Sequence, residues 1–162
     1  MKTKHNLIAF LGLVSAATLF AAATEKPASQ VDVTFHEPEK FTDVKEDFTD
    51  TERGREHYLG IIKKHFETTA PRYLAAGERL EIKLTNVDLA GDFEPWRGVN
   101  FDRIRIIKDM YPPRIELEFR LIGADGKVVS EGKRRLQDLG YTMTSSMSSS
   151  DVLRYDKEMI TG

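Results

Sequence analysis

The densest chemistry in the chain lies in TNVDLAGDFEPW, residues 85–96. It holds Asp88, Asp92 and Glu94 together with the only Trp, Trp96, and Arg97 follows at once. Three hard oxygen donors around Gly91 suggest calcium, since Ca2+ takes carboxylate and carbonyl oxygens and a Gly permits the tight turn such a loop needs. The D-x-x-x-D-x-E spacing is not that of an EF-hand, however. Asp beside Gly is also ordinary in turns, where its carboxylate bonds nearby backbone. A second chemistry is acid–base: Asp92, Glu94 or Asp102 as a glycosidase-type pair, with Trp96 as an apolar wall or a sugar platform. A chain this short leaves little material for a deep cleft beside a core. The third is recognition. Phe93, Trp96, Arg97 and Phe101 fall close together, and aromatics with Arg are the side chains that anchor interfaces. The competing use of the same aromatics is to turn inward and cap the core, leaving the acids as a wet rim. The reading is binding before chemistry, through Asp88, Asp92, Phe93, Glu94, Trp96 and Arg97, with no catalytic residue, metal ligand or cofactor assigned. A small hydrolase or divalent-metal enzyme using the acids of 88–94 is the alternative.

Other sites are weaker. His57 and His65 are eight residues apart on an expected helix, roughly 12 Å along its axis, whereas a helical zinc pair needs both rings on one ion. His36 stands alone in a polar connection. There is no Cys, no G-x-S-x-G and no Gly-rich phosphate loop, and the Ser cluster near the C-terminus has no nearby His. No run of basic residues suggests nucleic acid.

MKTKHN, the apolar run LIAFLGLVSAATLF and the small residues Ala21, Ala22 and Ala23 have the charged, greasy, small order of a secretory signal peptide, with Ala21-x-Ala23 as the cleavage signature. Cleavage near Ala23 delivers the protein to the periplasm. It removes Lys2 and Lys4 and no acid, so 22 basic residues face 26 acidic ones, a net charge of −4. The remainder suits one domain, 31–162, behind a disordered leader, 24–30. Without Cys that domain stands on packing alone. Nothing after residue 23 is apolar for long enough to span a bilayer. The expected partner is a protein or a cell-envelope component.

The elements that must position the 85–96 stretch follow from periodicity. Val31, Val33 and Phe35 alternate with Asp32 and Thr34, a half-buried strand. Thr49 and Glu52 have capping-box spacing. From there Tyr58, Leu59, Ile62, Phe66 and Tyr73 share one face, predicting a helix from 50 to about 70. Pro71 interrupts it, so PRYLAAG reads as a short second helix closed by Gly77. Leu80, Ile82 and Leu84 make the clearest strand, which loses phase at Asn86-Val87. Ile104 and Ile106, then Ile115, Leu117, Phe119 and Leu121, alternate likewise. Tyr111-Pro112-Pro113 sets the start of the latter strand, and Asp125-Gly126 predicts a hairpin back through 127 to 136. If the strand at 103–107 also neighbours the one at 115–121, Arg103 and Arg105 face Glu116 and Glu118 across the sheet; strand order beyond the hairpin is left open. A Ser-rich joint, 142–150, precedes a last short helix, with Ser148 and Asp151 at its start and Val152, Tyr155 and Met159 as its stripe. The fold expected is α+β: an antiparallel sheet of about five strands, an N-terminal helix pair on one face and a short C-terminal helix.

VDVTFHEPEKFTDV, the helix, LTNVDLAGDFEPW, YPPRIELEFRLIGADGKVVSEG and LQDLGY, in that order, resemble the bacterial domain of unknown function 3016 family. The likeness runs from about Val31 to Tyr155. It implies a small exported protein of Gram-negative bacteria, with no established activity, cofactor or substrate. Family members continue a little past the position of Gly162, so the resemblance also implies a short or clipped variant. It carries no catalytic residue across.

Overall fold

Strand β1, Val31–Phe35, buries Val31 and Val33 and leaves Asp32 and Thr34 wet, the period of a strand covered on one face. The chain is described here from a computed structural model, which covers residues 30–144 and 150–162. The expected signal peptide and all of the leader but Gln30 lie outside those residues. The Gln30 carbonyl accepts a hydrogen bond from Leu80 N, 2.8 Å.

Helix α1, Glu52–Thr69, begins two residues later than the capping box predicts. Its cap is Thr51, whose hydroxyl accepts from Gly54 N at 3.1 Å, while Thr49 N donates to Asp47. The second helix of the expected pair is absent. Ala70–Tyr73 is a single 3-10 turn running on from α1, Leu74 is already extended, and Tyr73 lies 75% exposed rather than on the apolar face. Pro71 cannot donate the α-helical bond, and four residues are too few to restart a helix.

Strands β2 (Arg79–Asp88), β5 (Arg114–Ile122) and β6 (Val128–Gln137) join β1 in a four-stranded sheet of order β1-β2-β5-β6. The β5–β6 hairpin forms, though through a longer connection, 123–127, than the two-residue Asp125-Gly126 turn expected, with Gly126 at φ 78°. The sheet is not wholly antiparallel. β1 lies parallel to β2, because α1 is the crossover between them. Two short strands, β3 (Asp92–Phe93) and β4 (Arg105–Ile106), pair apart from it as a ribbon. The expected five-stranded sheet is therefore four strands plus two. Arg103 and Arg105 do not face Glu116 and Glu118; Glu118 sits between Lys83, 2.5 Å, and Lys133, 2.9 Å.

The phase break at Asn86 is a bulge, not the end of β2. Register shifts between Leu84 and Asn86, and pairing resumes from Asn86 to Asp88. The Asn86 side-chain oxygen accepts from Thr42 N, 2.9 Å, which ties the preceding connection to the bulge.

One face of the sheet carries the core. Leu59, Ile62 and Phe66 of α1 pack with Val31, Val33, Leu84, Val87, Ile115, Leu117 and the buried Leu153. Burying side chains of this kind contributes roughly 1.5–3 kcal/mol each before conformational entropy is set against it. The other face is open and charged. After the four-residue helix α2, Tyr141–Thr144, part of the Ser-rich joint falls outside the described residues, as does the predicted start at Ser148. Helix α3, Arg154–Thr161, packs on α1, with Met159 against the core and Val152 67% exposed. Leu153 takes the core place that the stripe gave to Val152. Among the described residues no helix is long and apolar enough to cross a membrane.

Candidate functional site

The segment after the β2 bulge does not loop out; it dives into the protein. Val87, Leu89, Ala90, Phe93 and Glu94 are all buried. Gly91 turns it with φ 79°, in a place where an added Cβ would lie 2.7 Å from Ile107 Cδ1 and 2.8 Å from Ile106 O. Only Gly fits there.

Arg105 of β4 is the knot of this region. Its guanidinium donates to the Asp43 carboxylate at 2.7 and 3.3 Å, to Gly91 O at 2.8 Å and to Lys45 O at 2.9 Å, and it lies 4.6 Å over the Phe93 ring. Asp43 in turn brackets β2: its N donates to Val87 O, 3.1 Å, and its carbonyl accepts from Leu89 N, 3.0 Å. From the far side the Asp156 carboxylate of α3, 1% exposed, accepts from Ala90 N at 3.1 Å. Burial pushes that carboxyl up to about 7, against the opposing pull of the backbone bond from Ala90.

Of the predicted site residues, Glu94 is the most constrained. It is 2% exposed and accepts from Lys108 Nζ, from Tyr111 OH at 2.9 Å and from Arg97 Nη1 at 3.0 Å. The Lys108 bond, helped by Tyr111, holds the carboxyl below its usual range although burial opposes it. Its own hydrogen bond to Glu94 raises the Tyr111 hydroxyl. Glu94 is thus a brace, tying the ribbon to the YPP segment ahead of β5. Phe93 turns inward, as the structural use of the aromatics requires.

The other acids face elsewhere. Asp88 pairs with Arg114 Nη2, 2.6 Å, its cross-strand neighbour, and burial holds it above the usual carboxylate range. Asp92 accepts from Phe93 N, 2.7 Å. Asp43, Asp88 and Asp92 border one depression of about 270 Å³ that Thr42, Tyr111 and Arg114 also line. Glu94 is not part of it, so Asp88, Asp92 and Glu94 do not line one depression together. Among the described residues no group of three or more His, Cys, Asp or Glu could hold a metal ion. His65 bonds the Lys157 carbonyl, 3.1 Å, and links α1 to α3, while His36 and His57 are exposed.

Trp96 does the opposite of Phe93. It sits in a 3-10 turn, Pro95–Arg97, and is 72% exposed. Arg97 beside it lies 5.6 Å from the Phe101 ring centre. Beyond them Val99, Ile104 and Met110 are 89%, 50% and 70% exposed.

Asp43, Arg105, Lys108, Tyr111 and Asp156 were not legible as parts of this region. Arg105 has the same pattern as exposed Arg103, and Asp43 sits in what reads as a polar connector. The one available signal was Tyr111-Pro112-Pro113, a stiff aromatic segment with a use beyond starting a strand.

No curated protein matches the chain. The sequence model of a family of proteins of unknown function, DUF3016, matches residues 29–162, which takes in the sheet, the ribbon and all three helices. The chain belongs to that family.

Proposed function

We propose that this is a non-enzymatic domain, exported to the periplasm, that binds a protein or cell-envelope component through residues 95–104 with Trp96 as the anchor. The observation that carries this reading is the exposure of Trp96, 72%, two residues after the buried and braced Glu94. Large apolar side chains gathered on one exposed loop mark interaction surfaces, and Trp and Arg dominate the energetics of interfaces. Pro95 and the Glu94 bonds fix the turn, so binding freezes little backbone that is not already fixed. The charged, apolar and small order of residues 1–23 supports export.

A photoactivatable crosslinker at position 96 in living cells tests the site. The expected result is a discrete product that does not form from exposed Lys64 on α1; identical products from both positions overturn the reading. N-terminal sequencing of the exported protein should begin near Thr24, and a chain that begins at Met1 contradicts cleavage. Native mass spectrometry before and after chelator is expected to show no bound ion. A stoichiometric divalent ion overturns the non-enzymatic reading.

A further inference from the structure

β6 is an outer strand of the sheet. β5 pairs with one side of it, and among the described residues no strand pairs with the other. Its side chains are mostly exposed, and an uncovered strand edge is a template for another strand.

We infer that β6 pairs antiparallel with β6 of a second copy of this chain about a two-fold axis at Gly132, joining the two sheets edge to edge. The argument is the order of charges on the open face. Two ladders of ion pairs cross that face and end at β6. One runs Lys83–Glu118–Lys133, with contacts of 2.5 and 2.9 Å, and ends in a cation. The other runs Glu81–Arg120–Glu131, with contacts of 3.3 and 3.4 Å, and ends in an anion. Glu131 and Lys133 flank Gly132. Antiparallel pairing about Gly132 sets Glu131 opposite the partner's Lys133 and, by symmetry, Lys133 opposite the partner's Glu131. Each ladder then continues into the other with signs alternating throughout.

The register is selective. An axis at Glu131 or at Lys133 sets that residue against its own copy, like charge to like, which is destabilising across a strand pair. With the axis at Gly132, Arg134 falls opposite the partner's Ser130, and its guanidinium keeps its place 5.1 Å from the Phe119 ring centre. Charged side chains ordinarily guard an edge against pairing; along β6 they are self-complementary. Pairing limited to Ser130–Arg134 buries less than about 1,200 Å² in total, the range of transient contacts, so the dimer forms in proportion to concentration.

Two measurements on the purified protein test this surface, and neither involves Trp96. In sedimentation velocity the average sedimentation coefficient should rise from low micromolar to millimolar protein, and Lys133→Glu should move the transition to roughly tenfold higher concentration. The chain has no Cys, so single cysteines report register cleanly. A Cβ at position 132 meets only Phe119 Cε1 at 3.5 Å and more distant atoms, so Gly132→Cys fits the fold. On oxidation Gly132→Cys should form a covalent dimer, Glu131→Cys mixed with Lys133→Cys should join mainly to each other, and Asp125→Cys at the hairpin turn should stay monomeric. A chain that remains monomeric at every concentration overturns the inference. So do cross-links with no preference between positions 125 and 132, and so does a Gly132→Cys cross-link in cells to a different protein in place of a second copy.

Discussion

In the connection between β2 and β4, Glu94 is 2% exposed and Trp96, two residues on, is 72% exposed. The stem, residues 87–94, is held by side-chain bonds from three directions: Arg105 with Asp43, Lys108 and Tyr111 on Glu94, and Asp156 on Ala90. The tip, residues 96–104, makes few such bonds and shows Trp96, Val99 and Ile104 to solvent. A buried polar stem is not the most stable way to fill that volume, since apolar side chains of similar size often do as well. What buried polar pairs supply is geometry, and here the geometry fixes where Trp96 emerges. Stem and tip should therefore separate cleanly under mutation, stability residing in one and binding in the other.

The largest effect is expected at Asp156. Its folded carboxyl titrates at about 7, against an ordinary 3.8. Below about pH 3 the folded and unfolded chains are both protonated there, and the group costs nothing. As pH rises from 4 to 7 the unfolded chain loses its proton first, so stability falls; above 7 the loss is complete. Asp43 and Arg105 are the charged groups facing it, and they act in opposite directions. Asp156→Asn keeps an oxygen for Ala90 N–H and cannot ionise. Relative to the native chain it should gain nothing near pH 3 and up to about 4 kcal/mol by pH 8, at roughly 1.4 kcal/mol per pKa unit. Urea denaturation of both proteins across that range measures it. A difference that does not change with pH means that Asp156 is not a neutral acid in the fold.

Next comes the knot. Arg105→Ala leaves Asp43 buried without its cation and frees the Gly91 and Lys45 carbonyls, and should destabilise by about 3 kcal/mol. Arg103→Ala, two residues earlier and exposed, should stay within about 0.5 kcal/mol. Equal effects would mean that the ribbon is not fastened through Arg105. Gly91→Ala, which asks for a left-handed backbone and for space already taken by Ile106 O, should cost about 2 kcal/mol or more in the same assay.

The contrast between Arg105 and Arg103 also shows why the stem was illegible in the sequence. Period-two alternation identified β1, β2 and β5, and helical spacing the α1 stripe of Leu59, Ile62 and Phe66, because burial of one face acts on every second residue or every turn and leaves a pattern; β6, mostly exposed, was placed by the Asp125-Gly126 turn instead. A two-residue strand leaves none, so β3 could not be found and the neighbour of β4 stayed open. The Asp43–Arg105 pair spans sixty-two residues, and such a contact has no local signature. The bulge at Asn86 looked like an ending because one extra residue reverses the phase of everything after it. Of the six residues proposed for binding, Trp96 and Arg97 reach solvent, while Phe93 and Glu94 serve the stem. Composition could place all six in one stretch, but which way each turns depends on residues elsewhere in the chain.

The smallest stability effect belongs to the tip. Trp96→Ala removes a side chain that touches little of its own protein, so the change in unfolding free energy should stay below about 0.5 kcal/mol. Its effect on binding should be large, because an anchoring Trp typically accounts for about 2 kcal/mol or more of an interface, roughly thirtyfold in affinity. A second photoactivatable crosslinker, at position 97, should capture the same partner in native cells and lose it in Trp96→Ala cells, with folded protein at native abundance. If stability drops as it does for Arg105→Ala, Trp96 belongs to the stem and the tip is not a separate surface. If stability and crosslinks are both unchanged, the exposed indole has no partner there. A deficit confined to binding is the outcome that makes the buried acid two residues earlier a device for aiming Trp96.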